Sequence, residues 1–516
     1  MNEQTQGQVI GFLSDSTHLP GQGPVRVVHT HGAVVFLTGG DAYKIKRDVR
    51  YDYLDFSTLQ KRHDMLLREL ELNAPTAPTI YRDVIPVTRD TGGRLQLGGT
   101  GEVVEWVLRM HRFDAGDEMD KVAGRGALDD ATAASLGRIT ALYHATTPPR
   151  ALMRGSDLIG AILEELDTVF ATMTDDLGGE RVAQFRVASQ SSFRNAAATL
   201  DARGNAGHVR RCHGDLHLRN IVLIDGVPTL FDALEFDETL GTCDVLYDLA
   251  FLLMDLRHVD LGRAANIVLN SYLFQARDMD DLANLSLLSL FQGMRAAIRA
   301  MVAVQTALFN PNDDLILPDA RRYLSSALTY LDPEPARLIA IGGLSGTGKT
   351  VAATSVAHRI GAAPGAVHLR SDLERKALFQ VDPLTRLPDA AYSSDATARV
   401  YAIMREKAHT ILSGGHCVVM DATWIDPAER DLLPALARQT GASFTGVWLH
   451  AKDAILAQRV GSRRGDASDA DAAVVRRQAA TAQAPVSWAQ VDASGSQDDT
   501  LLQVRRILAV TAPEET

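Results

Sequence analysis

Five residues of one short stretch, Gly343, Gly346, Gly348, Lys349 and Thr350, have the types and spacing that hold a nucleotide's phosphates. With Leu344, Ser345 and Thr347 they fit G-x-x-x-x-G-K-[ST]. The glycines let backbone N–H groups turn inward toward phosphate, and a helix start behind them adds positive potential. Lys349 would reach the β- and γ-phosphates, and the Thr350 hydroxyl would ligate Mg²⁺. The flanks agree. Leu338–Ile341 is an apolar run that reads as a buried strand, and a helix is expected over Thr350 to Ile360.

Two carboxylates of the same half extend this chemistry. Asp372 follows the strand candidate 367–370, where it would serve as base or orienter for an accepting hydroxyl, with Arg375 as a clamp on an anionic acceptor. Asp421 closes another candidate, 417–421, where it would hold Mg²⁺ through water. Arg463 and Arg464, in a polar stretch, would close over transferring charge. Trp488, Val491 and Asp492 are placed beside an adenine. Ala422 follows Asp421 where many ATPases have a water-activating Glu, so transfer to a hydroxyl fits better than hydrolysis.

A second constellation lies far upstream. His213-Gly-Asp215 is followed by Asn220 and then by Leu230-Phe-Asp232. Phosphoryl transfer needs one carboxylate for the attacking hydroxyl's proton, and an amide and a second carboxylate for Mg²⁺. Asp215 is read as the base, and Asn220 and Asp232 as metal ligands. A hairpin through Asp225-Gly226 would bring the two ligands to one end. Lys44 and Lys46 share one strand face, and either could reach the α- and β-phosphates. Lys44, between Tyr43 and Ile45, is preferred, with Glu69 as its helix partner and Glu71 second. Glu235, Asp237 and Glu238 crowd past Asp232, either as a cleft for a cationic substrate, with Glu235 foremost, or as a solvated acidic loop.

The upstream spacing resembles the aminoglycoside phosphotransferase family, whose loop reads H-G-D-x-x-x-x-N, and Asp244-Val-Leu-Tyr-Asp248 resembles its downstream brace on that loop. The resemblance spans about 25–330. It implies a bilobal α+β, protein-kinase-like fold, without the glycine-rich loop of protein kinases before Lys44. The segment 338–510 resembles the gluconate-kinase and zeta-toxin-like P-loop kinases. That implies an α/β fold with a parallel sheet, a substrate aspartate and an arginine-bearing lid.

The supporting elements are legible in outline. Strand candidates at 25–29, 33–37 and 42–46 precede a helix expected from a Ser57 cap to Leu72, then a strand over 102–110 that would meet adenine. Helices dominate 128–330. Leu331 to Arg337, with two prolines, reads as a connector. The expected organisation is a kinase-like domain 1–330 (small lobe about 25–112, helical lobe about 113–330), a linker 331–337 and a P-loop domain 338–516.

With 516 residues the chain exceeds a single core, and its net charge of −12 argues against general nucleic-acid binding. Three cysteines without C-x-x-C spacing argue against a disulfide or zinc framework. Leu282–Phe309, interrupted by polar residues, reads as a core helix and not a membrane span. The first residues lack a basic, then apolar secretion pattern, so a cytoplasmic protein is expected. The reading at this point is a bifunctional kinase using ATP and Mg²⁺ on small-molecule hydroxyls, with oligomeric state open. Its rivals are one active site with the other domain sensing nucleotide, a toxin-like kinase acting on a macromolecule or sugar nucleotide, and a nucleotide-gated scaffold without transfer activity.

Overall fold

The computed structural model describes residues 3–20, 23–51, 54–150, 154–462 and 467–509. The chain divides into two compact units, Met1–Gly155 with Gly204–Leu252, and Ser156–Arg203 with Leu253–Thr516. Arg463 and Arg464 lie outside the described residues.

The first unit is built on a six-stranded antiparallel sheet. Its strand order is Arg26–His29, Ala33–Thr38, Asp41–Lys46, Glu102–His111, Tyr81–Arg89 and Leu95–Leu97. Strand alternation divides its side chains between two faces. Phe36, Tyr43, Ile45, Val87, Val104 and Val107 pack with Val9 and Leu13 of the helix Glu3–Ser14. The helix Leu59–Asn73 buries Arg62, Leu66, Glu69 and Asn73, a spacing of four, three and four residues that keeps them on one side. Its cap is Thr58 rather than Ser57: the Thr58 hydroxyl accepts from the Lys61 amide at 3.2 Å, and Ser57 donates its hydroxyl to Asp55 instead. Further along, Ile221–Ile224 and Val227–Leu230 form a hairpin. Asp225 and Gly226 both have positive φ, as a two-residue turn matched to strand twist requires.

The second unit holds a five-stranded, all-parallel sheet. The order is Val367–Arg370, Val418–Asp421, Arg337–Gly343, Ser443–His450 and Ala489–Asp492. Ile339, Ile341, Val419, Val447 and Val491 form its core with Ala352, Ala353 and Val356 of the helix Lys349–Ala357. That helix is shorter than the expected Thr350–Ile360. The apolar stretch from Leu282 is split by Asn284–Ser286 into two helices, Met279–Ala283 and Leu287–Phe309. Among the described residues, Leu287–Phe309 is the one helix long and apolar enough to cross a membrane, and 72% of its most apolar stretch is buried within the protein. Its Gln292 donates to the Ala363 carbonyl at 2.9 Å. Asn266 and Asn270 of the helix Gly262–Ala276 bond the Ala366 carbonyl and the His368 amide, which fixes the edge strand Val367–Arg370.

Candidate active sites

In the first unit, Lys44 Nζ lies 2.7 Å from Glu69 Oε1 and 2.9 Å from Asp232 Oδ1. Lys46, two residues on and so on the same strand face, bridges Glu69 Oε2 at 2.7 Å and Glu235 Oε1 at 2.5 Å. Of the two lysines, Lys44 is the one paired with Asp232. Burial opposes its charge, but Asp232, Glu69 and Glu235 outweigh that and hold the ammonium protonated well above the usual lysine range. Burial likewise works against the Asp232 carboxylate, and Lys44 more than compensates, leaving it more acidic than usual. Glu71 pairs instead with Arg68 on the helix surface.

Asp232 sits in the left-handed region at φ 58°, a conformation Asp tolerates better than most residues. Two contacts without sequence signature hold it there. The Asp232 amide donates to the Tyr81 hydroxyl at 3.1 Å, and the Ala233 amide donates to Asn73 Oδ1 at 2.8 Å. At the other side of the site, Asn220 Nδ2 donates to Asp215 Oδ2 and to the Asp215 carbonyl, both at 2.9 Å. His217 Nε2 lies 3.3 Å from the same carboxylate.

The loop carrying Asp215 is braced from beneath by Asp248. Its fully buried carboxylate accepts from the His213 amide at 3.2 Å and the Gly214 amide at 2.9 Å, and meets His144 Nε2 at 3.1 Å. Gly214 has φ 82°, and an added Cβ would lie 3.1 Å from Gly241 Cα. Removing the brace strands two amides, so Asp248→Ala is expected to cost on the order of 3 kcal/mol. The check is the urea midpoint of unfolding, which should fall relative to the unaltered protein.

The acidic residues past Asp232 face the protein's own cations or amides. Glu235 is paired with Lys46, Glu238 with Arg68 and Arg211, and Asp237 caps the Thr239 and Leu240 amides.

In the second unit, Gly343–Thr350 joins the central strand to the helix starting at Lys349. Gly343, Gly346 and Gly348 have φ of 137°, 88° and 89°. A Cβ on Gly346 would meet the Leu456 carbonyl at 2.8 Å. Gly346→Ala therefore combines backbone strain with a backbone clash, and we expect it to weaken ADP binding by at least about tenfold, read by calorimetric titration. Lys349 Nζ donates to the Leu344 carbonyl at 3.0 Å, and Thr347 Oγ1 donates to the same carbonyl at 2.8 Å. The Ser345 amide is taken by Gln478 Oε1 at 2.9 Å.

Thr350 Oγ1 donates to Asp421 Oδ2 at 2.5 Å, and His368 Nε2 lies 3.6 Å from the same oxygen. Parallel register sets this meeting: Asp421 pairs with Ile341 on one side and with Arg370 on the other. Asp372 lies in the first turn of the helix Ser371–Leu378. Burial, helped by the Asp421 charge, makes it less acidic than usual, while Lys349 pulls the other way. Arg375 donates to the Ala391 carbonyl at 2.7 Å and stacks 4.9 Å above the Tyr392 ring; its Nε has no partner among the described residues. Trp488 is buried against Gly446 and Phe444, Val491 is in the core, and Asp492 caps Ser494.

Comparison with known proteins agrees with this division of labour. Residues 60–285 match the phosphotransferase enzyme family, and residues 338–485 match the family described as AAA domain. The chain thus carries a segment similar to the phosphotransferase enzyme family and, after it, a segment similar to the AAA-domain family, and it is a phosphotransferase enzyme. It is similar to uncharacterized proteins of Mycobacterium bovis and Mycobacterium tuberculosis, 27% identical over 494 residues that cover 94% of this chain and 95% of each of theirs. Among solved structures, a gluconokinase from Sinorhizobium meliloti matches at 21% identity and a TM-score of 0.26, covering 34% of this chain and 92% of its own. Wild-type aminoglycoside 2'-phosphotransferase-IIIa matches at 12% identity and a TM-score of 0.38, covering 63% and 99%.

Proposed function

We propose that the protein is a bifunctional, cytoplasmic phosphotransferase, each segment moving the γ-phosphoryl group of ATP to the hydroxyl of a small molecule such as a sugar, an aminosugar or a related metabolite. One observation carries this reading. Each segment holds a lysine, a carboxylate suited to a base and a separate carboxylate suited to a metal: Lys44, Asp215 and Asp232 in one, Lys349, Asp372 and Asp421 in the other.

The donor sets suit Mg²⁺, which takes hard oxygen ligands. Thr350 and Asp421 converge on one point, and Asn220 and Asp232 offer an amide oxygen and a carboxylate. Mg²⁺ held there would neutralise the charge that develops on the transferred phosphoryl group. Lys44 and Lys349 hold the phosphates of their nucleotides. Asp215 and Asp372 orient the attacking hydroxyl and receive its proton as the new O–P bond forms and the bond from the γ-phosphorus to the β,γ-bridging oxygen breaks, releasing ADP.

The test follows label from γ-labelled ATP into a cell-extract metabolite pool, with Asp215→Asn, Lys349→Met and the double variant. Each single variant is expected to lose a different labelled product, and the double variant to lose both. Loss of all products from Asp215→Asn alone would overturn the bifunctional reading and leave the P-loop segment as a sensor.

A further inference from the structure

The loop Gly343–Thr350 is backed by two helices, Asp453–Ser462 and Ala472–Thr481. Three consecutive loop residues touch them. The Leu344 side chain packs with Leu456, Val460 and Val475. The Ser345 amide donates to Gln478 Oε1 at 2.9 Å, and Gly346 lies against the Leu456 carbonyl. Val475 and Gln478 are three residues apart on a helix capped by Asp471, so one helix face supplies both contacts.

The bond to Ser345 is the one that reaches Lys349. The Leu344–Ser345 peptide is trans, so its carbonyl and its N–H point in opposite directions. The N–H goes to Gln478, its one hydrogen-bond partner among the described residues. The carbonyl takes Lys349 Nζ at 3.0 Å and the Thr347 hydroxyl at 2.8 Å. Gln478 and Lys349 therefore hold opposite edges of one rigid plane, which cannot turn at one edge without turning at the other. Ser345 is only 7% exposed. Without Gln478 its amide would be buried and unpaired, and a turn of the plane that relieves this carries the Leu344 carbonyl away from Lys349. The same bond fixes which way the glutamine amide faces, since only its oxygen can accept from an N–H.

We propose that Gln478 is a positioning residue of the P-loop segment. It pins the Leu344–Ser345 peptide from outside the loop, so that the Leu344 carbonyl holds Lys349 in line with the phosphates of a bound nucleotide. Its effect passes through Lys349 and not through a nucleotide contact of its own. This assignment rests on the reading of Gly343–Thr350 as a nucleotide-phosphate site.

The test is a double-mutant cycle on ADP affinity in full-length protein with Mg²⁺, titrated by calorimetry at protein concentrations high enough for the weakest variant. Gln478→Met keeps the side chain's length and removes its acceptor. It should weaken ADP binding about fivefold, the size of one ordinary hydrogen bond. In the Lys349→Met background the same change should cost less than about 1.5-fold, because the group it positions is gone. If Gln478→Met does not fold, Gln478→Ala serves: alanine is the best helix former, and the same dependence on Lys349 is expected. An equal loss in both backgrounds would mean that Gln478 acts independently of Lys349, as a nucleotide contact or a structural tie, and would sink the proposal. No loss in either background would sink it too. Absent ADP binding in the unaltered protein would instead overturn the nucleotide reading of the loop.

Discussion

Asp215→Asn is expected to lower transfer at the first site by about 10³-fold, within the range that general-base catalysis supplies, with ATP affinity changed by less than about twofold. The substitution keeps size and shape. An asparagine oxygen can still accept from Asn220 Nδ2, which now lies 2.9 Å from the carboxylate, so the loop should keep its fold. Its brace, Asp248, bonds the His213 and Gly214 amides and is untouched. Nucleotide contacts assigned to Lys44, Asn220 and Asp232 are untouched as well. What is lost is the ability to take a proton from the attacking hydroxyl. The measurement is single-turnover transfer in the Lys349→Met background, so that the second site does not mask the loss. A fall in kcat of less than about tenfold would remove Asp215 from the role of base.

The contrast between what spacing reveals and what packing adds is visible around this same site. Asp215, Asn220 and Asp232 can be read from the chain because a local device, the Asp225-Gly226 turn, fixes their meeting. Lys44 and Glu69 can be read because strand and helix periods put each on a known face. The parallel sheet is equally plain, since each apolar strand run is followed by a helix and no hairpin turn intervenes. Tyr81, Asn73 and His144 cannot be read, because their partners come from elements brought together only by tertiary packing. The same holds for Gln478 on the Ser345 amide and for Asn266, Asn270 and Gln292 against the parallel sheet's edge region. In sequence these are polar residues on helices, indistinguishable from solvated ones. The acidic run after Asp232 has the opposite difficulty. Its charge is obvious, but only the fold reveals that Lys46, Arg68 and Arg211 already face it. The helix cap was one residue off for a similar reason, since Ser57 and Thr58 are both competent and Asp55 engages the first.

Lys349→Met should have the largest effect on the P-loop segment, lowering its kcat/KM on the order of 10³-fold or more, because two losses compound. The first is direct. A methionine keeps most of the side chain's length and apolar stem but places no charge against the β- and γ-phosphates. The second acts through Asp372. Burial and the Asp421 charge already hold that carboxylate less acidic than usual, and Lys349 is a charge that opposes them. Without it, Asp372 is still less ready to stay ionised as an orienting base. The fold should tolerate the change, since Lys349 Nζ is bonded to a carbonyl of its own loop, at Leu344, and Thr347 holds that carbonyl independently. The check combines ADP titration with γ-phosphoryl transfer in the Asp215→Asn background. ADP affinity should fall less than transfer does, because part of the lysine's contact forms with the γ-phosphate that ADP lacks. Equal losses in both would reduce Lys349 to a binding residue, and undiminished transfer would remove the second site from the enzyme altogether.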